Sequence, residues 1–271
     1  MVSIITPIFN QLSMNKLFYE SLLENTFHPF ELIIIDNNSN DGSGEFFKSK
    51  DNVVYIKNDS NFSYPHSNNQ GLAVAKYDYI ALLNNDILLS KDWDKKLMES
   101  MDSNGLQFIC PCGNERMESK ETTKAKMRKW KTVSNPLRLI SLSVISLKLM
   151  VKLMYGNFQK YATKRYNDFR LQTKEGFCGF LILTNKEWLA KLDGMDSRIQ
   201  SADWDLFIKS KKRSIEIGDL KPIHIALDVF VHHFGRLTYK KHYPPFTDKN
   251  NLIEFNEKWD KPQQNQFLKN V

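Results

Sequence analysis

The sequence predicts an α/β fold in which helices cover a mostly parallel sheet. Short runs rich in β-branched residues alternate with amphipathic stretches. Polar, acidic clusters stand where such runs end, the place where open parallel sheets bind ligands. The chain has 271 residues, 41% of them hydrophobic and 12% aromatic, enough for a sizeable core in one large domain or one domain with an elaboration.

Taken in order, residues 2–9, VSIITPIF, read as a short buried strand ending at Pro7. Residues 13–25 are expected to be helical, with Leu17, Phe18, Leu22 and Leu23 at helical spacing. ELIII at 31–35 is a second strand, stopped by the dense turn signal DNNSNDGSG. VVYI at 53–56 is a third strand, 67–76 a short helix, and 78–83 a fourth strand. After an interruption at 116–170 the globular pattern returns, with FCGFLIL as a strand, KEWLAKL as a helix and ALDVFVHH as a late strand. The tail from Tyr243 is polar and contains proline, and is expected to wrap or fray. No internal repeat is visible.

Charge is unevenly spread. Residues 116–170 hold 14 Lys plus Arg against 3 Asp plus Glu, a net +11, so the remainder carries −4 of the overall +7. This segment is polar and lysine-rich as far as Lys131. NPLRLISLSVISLKLMVKLMYG then predicts a basic amphipathic helix, with Asn135 as N-cap and Pro136 at the first helical position. Ile140, Val144, Leu147, Val151 and Met154 form its apolar stripe, and Arg138, Ser141, Lys148 and Lys152 fall on another side. Three main readings stand open: a solvated helical hairpin over the acceptor side, a membrane-surface helix with lysines against anionic headgroups, and a nucleic-acid patch. The last is disfavoured because few aromatics interleave with the basic residues; an oligomer contact is the remaining option.

The three cysteines, Cys110, Cys112 and Cys178, are odd in number and sparse, which suits reduced thiols better than a disulfide framework. Cys-Pro-Cys offers too few ligands for a zinc site. MVSIITPIFN lacks the basic flank, long apolar core and cleavage site of a signal peptide, and no stretch reaches about 18 uncharged apolar residues. A cytoplasmic protein is expected, with a peripheral place on the inner face of a membrane as one option for residues 135–155.

Three clusters carry candidate chemistry: Asp36 in IIIDNNSNDGS, Asn84-Asn85-Asp86 in ALLNNDILLS, and Asp203-Trp204-Asp205 at the start of an amphipathic helix. Singly, each is what a turn or an N-cap uses. Together, along one edge of a sheet, they suggest more. A carboxylate beside amides is a hard-oxygen site for Mg²⁺ or Mn²⁺, whose shell is usually completed by water and substrate phosphates. That would explain why Asp86 is tolerated between two apolar runs.

TPIFN, IIIDNNSNDGS, NFSYPHSNNQG and YIALLNNDILL, in this order and spacing, resemble the family 2 glycosyltransferases. EGFCGFLILTNKEWLAKLDGMD, ADWDLFIKSKKR and DVFVHHFGRLT resemble the same family's acceptor strand, catalytic helix start and C-terminal histidine segment. The resemblance covers about residues 1–115 and 171–240. It implies the GT-A fold, a Rossmann-like, three-layer nucleotide-binding architecture, with 1–115 as the nucleotide-sugar half, 116–170 as a helical basic insert, 171–242 as the acceptor half and 243–271 as a tail, all within one domain.

The resemblance also implies roles. Thr6, Pro7 and Phe9 would line the nucleotide pocket, Asp36 would accept from the base, and Asn61 and Asn69 would hold the nucleotide sugar. Asn84, Asn85 and Asp86 would be the Asp-x-Asp motif; Asn stands first here, leaving Asp86 as the main metal contact. His232, with His233 as the competing choice, would approach the metal or diphosphate; neighbours in a strand face opposite sides, so one is expected to reach the site. Asp203 would be the base, and Gly179, Trp204 and Asp205 would lie on the acceptor side, with a structural role equally open for Asp205.

One base without a protein nucleophile implies a single inverting displacement from a UDP- or dTDP-sugar to a hydroxyl of a glycan or lipid-linked acceptor. Two other classes remain. A nucleotidyltransferase would usually show a glycine-rich, basic phosphate loop after the first strand, which TPIFNQLSMN lacks. A non-catalytic glycan- or nucleotide-binding module would not need both Asp86 and Asp203.

Overall fold

The computed structural model describes residues 1–235, 237 and 244–269. Arg236 and Thr238, at the end of the histidine segment, and Tyr243, where the tail was expected to start, lie outside that set. A nine-stranded mixed sheet forms the middle layer. Its first half is wholly parallel: β1 (Val2–Ile8) pairs with β2 (Phe30–Asp36) and β4 (Tyr79–Leu83), and β2 pairs with β3 (Val53–Lys57). The crossovers are α1 (Leu12–Asn25), α2 (Ser43–Lys48) and α3 (Tyr64–Val74). Both faces of β1 and β2 are buried, which suits their Ile runs, Ile4-Ile5 and Ile33-Ile34-Ile35.

β4 is followed by the two-residue β5 (Ile87–Leu88), α4 (Trp93–Asn104) and β6 (Ile109–Gly113). The insert comprises α5 (Lys120–Ile140), α6 (Val144–Tyr155) and α7 (Phe158–Asp168). β7 (Thr173–Glu175), β8 (Leu181–Asn185), α8 (Lys186–Lys191), α9 (Ala202–Glu216) and β9 (His224–His233) complete the sheet half. β8 runs antiparallel between β4 and β6, while β6 and β9 are parallel. β5 and β7 add antiparallel to β9. The two halves are therefore one sheet joined at β8, with Asn84 to Asp86 at the seam.

Two expectations need correction. FCGFLIL does not begin as a strand: β8 starts at Leu181, and residues 176–180 form a loop entered through Gly176 at φ +143°. Nor does a helix begin at Asn135. α5 runs straight through it with Pro136 in its interior, and the break falls at 141–143, where Ser143 accepts from the Ser146 amide and caps α6. Pro136 and Thr132, whose carbonyl it frees, are exposed, so solvent can satisfy the orphaned acceptor.

The predicted stripe is also divided. Leu147, Val151 and Met154 pack inward with Met150, whereas Ile140 stays 79% exposed. The tail wraps rather than frays. α10 (Phe255–Lys258) and α11 (Lys261–Phe267) bury Trp259 and Phe267 against Ile208 of α9. An Asp260–Gln263 capping box starts α11.

Candidate active site

The carboxyl end of β4, the 176–180 loop, the start of α9 and the end of β9 enclose a cavity of about 370 Å³. Tyr64, Asn84, Glu115, Arg116, Gly179 and Asp203 line it, together with Phe177, Phe180, Trp204 and His233. The fold thus brings Asn84, Gly179, Asp203 and Trp204 into one pocket although they are distant in sequence.

Asp203 opens α9 and accepts the Trp204 amide at 2.9 Å; among the described residues no side chain donates to it. Burial raises its pKa above the ordinary aspartate value, against smaller opposing help from backbone N–H groups and Arg116. Gly179 stands directly behind: a Cβ there would collide with Oδ2 of Asp203. Space, not a special backbone angle, is what this glycine supplies. Phe177 meets the Trp204 ring edge-on at 4.8 Å and stacks on Phe207 at 5.1 Å, making an apolar wall.

Asp86 Oδ1 lies 3.2 Å from Nε2 of His233, whose Nδ1 lies 3.0 Å from Glu115. Burial opposes the imidazolium, but the two carboxylates outweigh it and lift the His233 pKa to about 10. The same contact outweighs burial at Asp86 and holds that carboxyl below its usual range. Gly235 makes room for the ring; a Cβ there would lie 2.7 Å from His233 Cε1.

His232, the preferred choice from sequence, faces the other way. It is fully buried among Trp130, Tyr155 and Phe234, with Nδ1 2.9 Å from the Tyr155 hydroxyl. Burial pushes its pKa down to about 3. The pairing of His233 with Ile87 and of His232 with Leu88 sets the parity, so His233 is the histidine beside Asp86.

A hard divalent cation bound here would take an oxygen of Asp86, which adjoins His233 beside the cavity that Asn84 lines. Among the described residues no group of three or more His, Cys, Asp or Glu could hold a metal, so most of its shell would come from substrate oxygens and water.

The remaining donor-side expectations divide. Phe9, Asn61 and Asn85 line a second cavity of about 440 Å³ with Pro244, Pro245 and Phe246. Asn61 donates to the Pro244 carbonyl at 3.0 Å, and Asn85 to Asn15 at 2.7 Å. Thr6 is buried with its hydroxyl unpartnered, and Pro7 beside it is half-buried.

Asp36 sits where expected, but its fully buried carboxylate accepts from Tyr55 at 2.6 Å and the Ser39 amide at 2.8 Å. These contacts organise the loop that follows β2. Asn69 donates to the Met195 carbonyl at 2.9 Å and ties α3 to the turn before α9. Asp205 is 1% exposed and binds Trp259 Nε1 at 2.8 Å, Lys258 at 2.7 Å and Lys209 at 3.2 Å. These contacts anchor the tail, the structural role left open from sequence.

Sequence reasoning missed Tyr64, Glu115, Arg116 and Phe177. The pair 115–116 follows a strand end, as Asp86 does, but ICPCGNER gives no periodic signal that β6 is a strand.

The family model for glycosyl transferase family 2 matches residues 3–192, and the chain belongs to that family. It is 26% identical over 113 residues to the glycosyltransferase GlyG of Streptococcus pneumoniae, covering 40% of this chain and 38% of that protein. It is 28% identical over 116 residues to the hyaluronan synthase of Pasteurella multocida, covering 41% and 12%. The match thus spans well under half the length of either relative. In structure it is similar to the mannosyltransferase PcManGT of Pyrobaculum calidifontis, solved with GDP-Man and Mn²⁺, at TM-score 0.51 and 14% identity over 83% of this chain and 56% of that one. It is also similar to S. aureus TarS 1–349, at TM-score 0.52 and 15% identity over 86% and 60%. The fold is the GT-A fold expected from the sequence.

Proposed function

We propose that the protein transfers a sugar from a nucleoside-diphosphate sugar, a UDP- or dTDP-sugar being the first choice, to a hydroxyl of a glycan or lipid-linked acceptor, with inversion. The observation that carries this is the placing of Asp203, without a side-chain donor, in the same cavity as Asn84 and as His233, the partner of Asp86. Asp203 takes the proton as the acceptor oxygen attacks the anomeric carbon. The bond from that carbon to the diphosphate oxygen breaks, and the nucleoside diphosphate leaves with the electron pair. Burial makes Asp203 a stronger base than a solvated aspartate.

Negative charge grows on the leaving diphosphate, and the His233 imidazolium between Asp86 and Glu115 faces that charge. Asp86 would hold Mn²⁺ or Mg²⁺, which would supply Lewis-acid stabilisation of the same group. Asp86 and Glu115 are both engaged by His233, and Asp205 by the tail. Asp203 is then the carboxylate left to act as base, which suits one displacement.

The test is turnover of a panel of UDP-, dTDP- and GDP-sugars, read as released nucleoside diphosphate with Mn²⁺ and with EDTA. One donor turned over in Mn²⁺, and lost in Asp86→Ala, is expected. Turnover unchanged in Asp86→Ala would sink the assignment of Asp86. A nucleotidyltransferase would instead release pyrophosphate, and a binding module nothing.

The insert supports a peripheral place on an anionic membrane. Among the described residues no helix is long and apolar enough to cross one. Yet Leu139, Ile140 and Ile145 are 83%, 79% and 81% exposed where α5 meets α6, beside Arg138 and Lys148. Exposed aliphatics within a segment rich in Lys and Arg suit an interface with lipid headgroups.

A further inference from the structure

Arg116 stands apart from the other arginines of the acceptor half and its approaches. Arg165, Arg170, Arg198 and Arg213 each pair with a carboxylate. The Arg116 guanidinium lies 5.9 Å from the Phe177 ring centroid and, among the described residues, makes no ion pair within 4.0 Å. It is half-buried in the wall of the Asp203 cavity. A cation held on an aromatic face, near the catalytic carboxylate but not neutralised by it, retains its hydrogen-bonding capacity for something that enters.

The other side of Arg116 opens onto a second cavity of about 270 Å³, which shares Glu115 and Arg116 with the first. Lys120, Lys124 and Lys174 line it, and the Ser119-capped start of α5 borders it. Its carboxylates are already engaged: Glu115 by His233, and Glu175 by Lys211 at 2.7 Å. The surplus charge is therefore positive, and the helix N-terminus adds to it. No residue before Glu115 lines this groove. It lies beyond the half that carries Phe9, Asn61 and Asn85, and meets the Asp203 cavity at Glu115 and Arg116.

We propose that the acceptor is anionic near its attacking hydroxyl, carrying a phosphate or a sugar carboxylate that Arg116 receives from within the catalytic cavity and that continues into the groove of Lys120, Lys124 and Lys174. Arg116 grips an oxyanion through two parallel N–H donors, while the lysines act as point charges along the groove. Phe177 and Trp204 would carry the uncharged face of the sugar. This inference rests on the transferase reading and names the substrate class of its acceptor side.

The experiment uses full-length protein saturated with the nucleoside diphosphate of its donor, so that the donor's phosphate site is filled. Glycerol 1-phosphate and glucuronate are titrated as probes, with glycerol and glucose as neutral counterparts, and binding is followed by calorimetry. At least one anionic probe should bind tenfold or more tightly than its neutral partner. Phosphate alone or carboxylate alone selects the source of the charge. Arg116→Gln should weaken that probe about tenfold, with Arg116→Lys intermediate.

Lys120→Gln with Lys124→Gln, exposed substitutions on α5, should weaken it about threefold and guard against a folding defect at Arg116. Affinity for the nucleoside diphosphate should stay within about twofold in all three variants. Equal binding of charged and neutral probes would overturn the proposal. So would an Arg116→Gln defect that falls equally on the nucleoside diphosphate, which would assign Arg116 to the donor. Failure of the unaltered protein to bind any nucleoside diphosphate would remove the transferase reading itself, a result distinct from both.

Discussion

Asp203 combines a steric and an electrostatic constraint. Gly179 leaves room for its carboxylate, and burial penalises its charge. The folded-state pKa therefore lies above the unfolded value of about 3.9. The folded protein keeps this proton to higher pH than the unfolded chain does, so the stability contribution of the group is complete below the unfolded value and is lost as pH rises through the folded one. Once ionised, the Asp203 carboxylate weighs against the fold that buries it. Asp203→Asn should accordingly melt at a higher temperature than the parent while kcat/KM falls by roughly 10²–10⁴. In the parent, the acid limb of kcat/KM should bend above the ordinary aspartate range. A variant that melts lower at pH 7, or a limb near pH 4 that survives in Asp203→Asn, would remove the base assignment.

At the scale of elements, the α5–α6 corner exposes aliphatic surface that the rest of the chain buries. Leu147, Met150 and Val151 satisfy the inward face of α6, so Leu139, Ile140 and Ile145 are surplus to the core. Replacing all three by serine should leave the melting temperature within a degree or two of the parent, since solvated positions contribute little. The same variant should lose binding to phosphatidylglycerol vesicles by at least about tenfold, given roughly 1.5–3 kcal/mol for each aliphatic side chain fully buried. Equal co-sedimentation of parent and variant would show that these residues touch no lipid.

The legibility of the insert follows the same physics. Its basic, amphipathic character was readable because side-chain chemistry and period are local. Its helix boundaries were not, because Pro136 is tolerated wherever the freed carbonyl faces solvent, and facing is a tertiary fact. The strands β1 and β2 were readable for the converse reason: burial on both faces favours runs of apolar, β-branched residues. The four residues after Gly176 looked like more of β8 because a loop packed against Asp203 is as apolar as a strand.

For the whole molecule, the decisive feature is that β8 joins the two halves antiparallel, so the carboxyl end of β4 meets the start of α9. The strand-end rule singled out Asp86 and Asp203 in the sequence. It was not enough to orient Asp36 or Asn69, because Tyr55 and the Met195 carbonyl, which claim them, come from other parts of the fold. Nor could alternation choose between His232 and His233 until β5 set the register.

The tail closes the same circle. Thr247 donates its amide to the Asn61 carbonyl at 2.8 Å, and the Ser63 amide donates to Asp248 at 3.0 Å. Phe246 lines the cavity that also holds Phe9. A ligand bound there and at Asp86 touches elements from both ends of the chain, so its binding free energy should appear in the global transition. At a nucleoside diphosphate concentration 100 times its Kd, mass action adds about 2.7 kcal/mol. For a domain of this size that corresponds to a rise of roughly 5–10 °C in the melting temperature. UDP or dTDP with Mn²⁺ should produce it, and EDTA or Asp86→Ala should reduce it. If CMP, GDP, UDP and dTDP all leave the transition unmoved with and without Mn²⁺, the donor reading fails, whatever the turnover assay of Asp203→Asn gives.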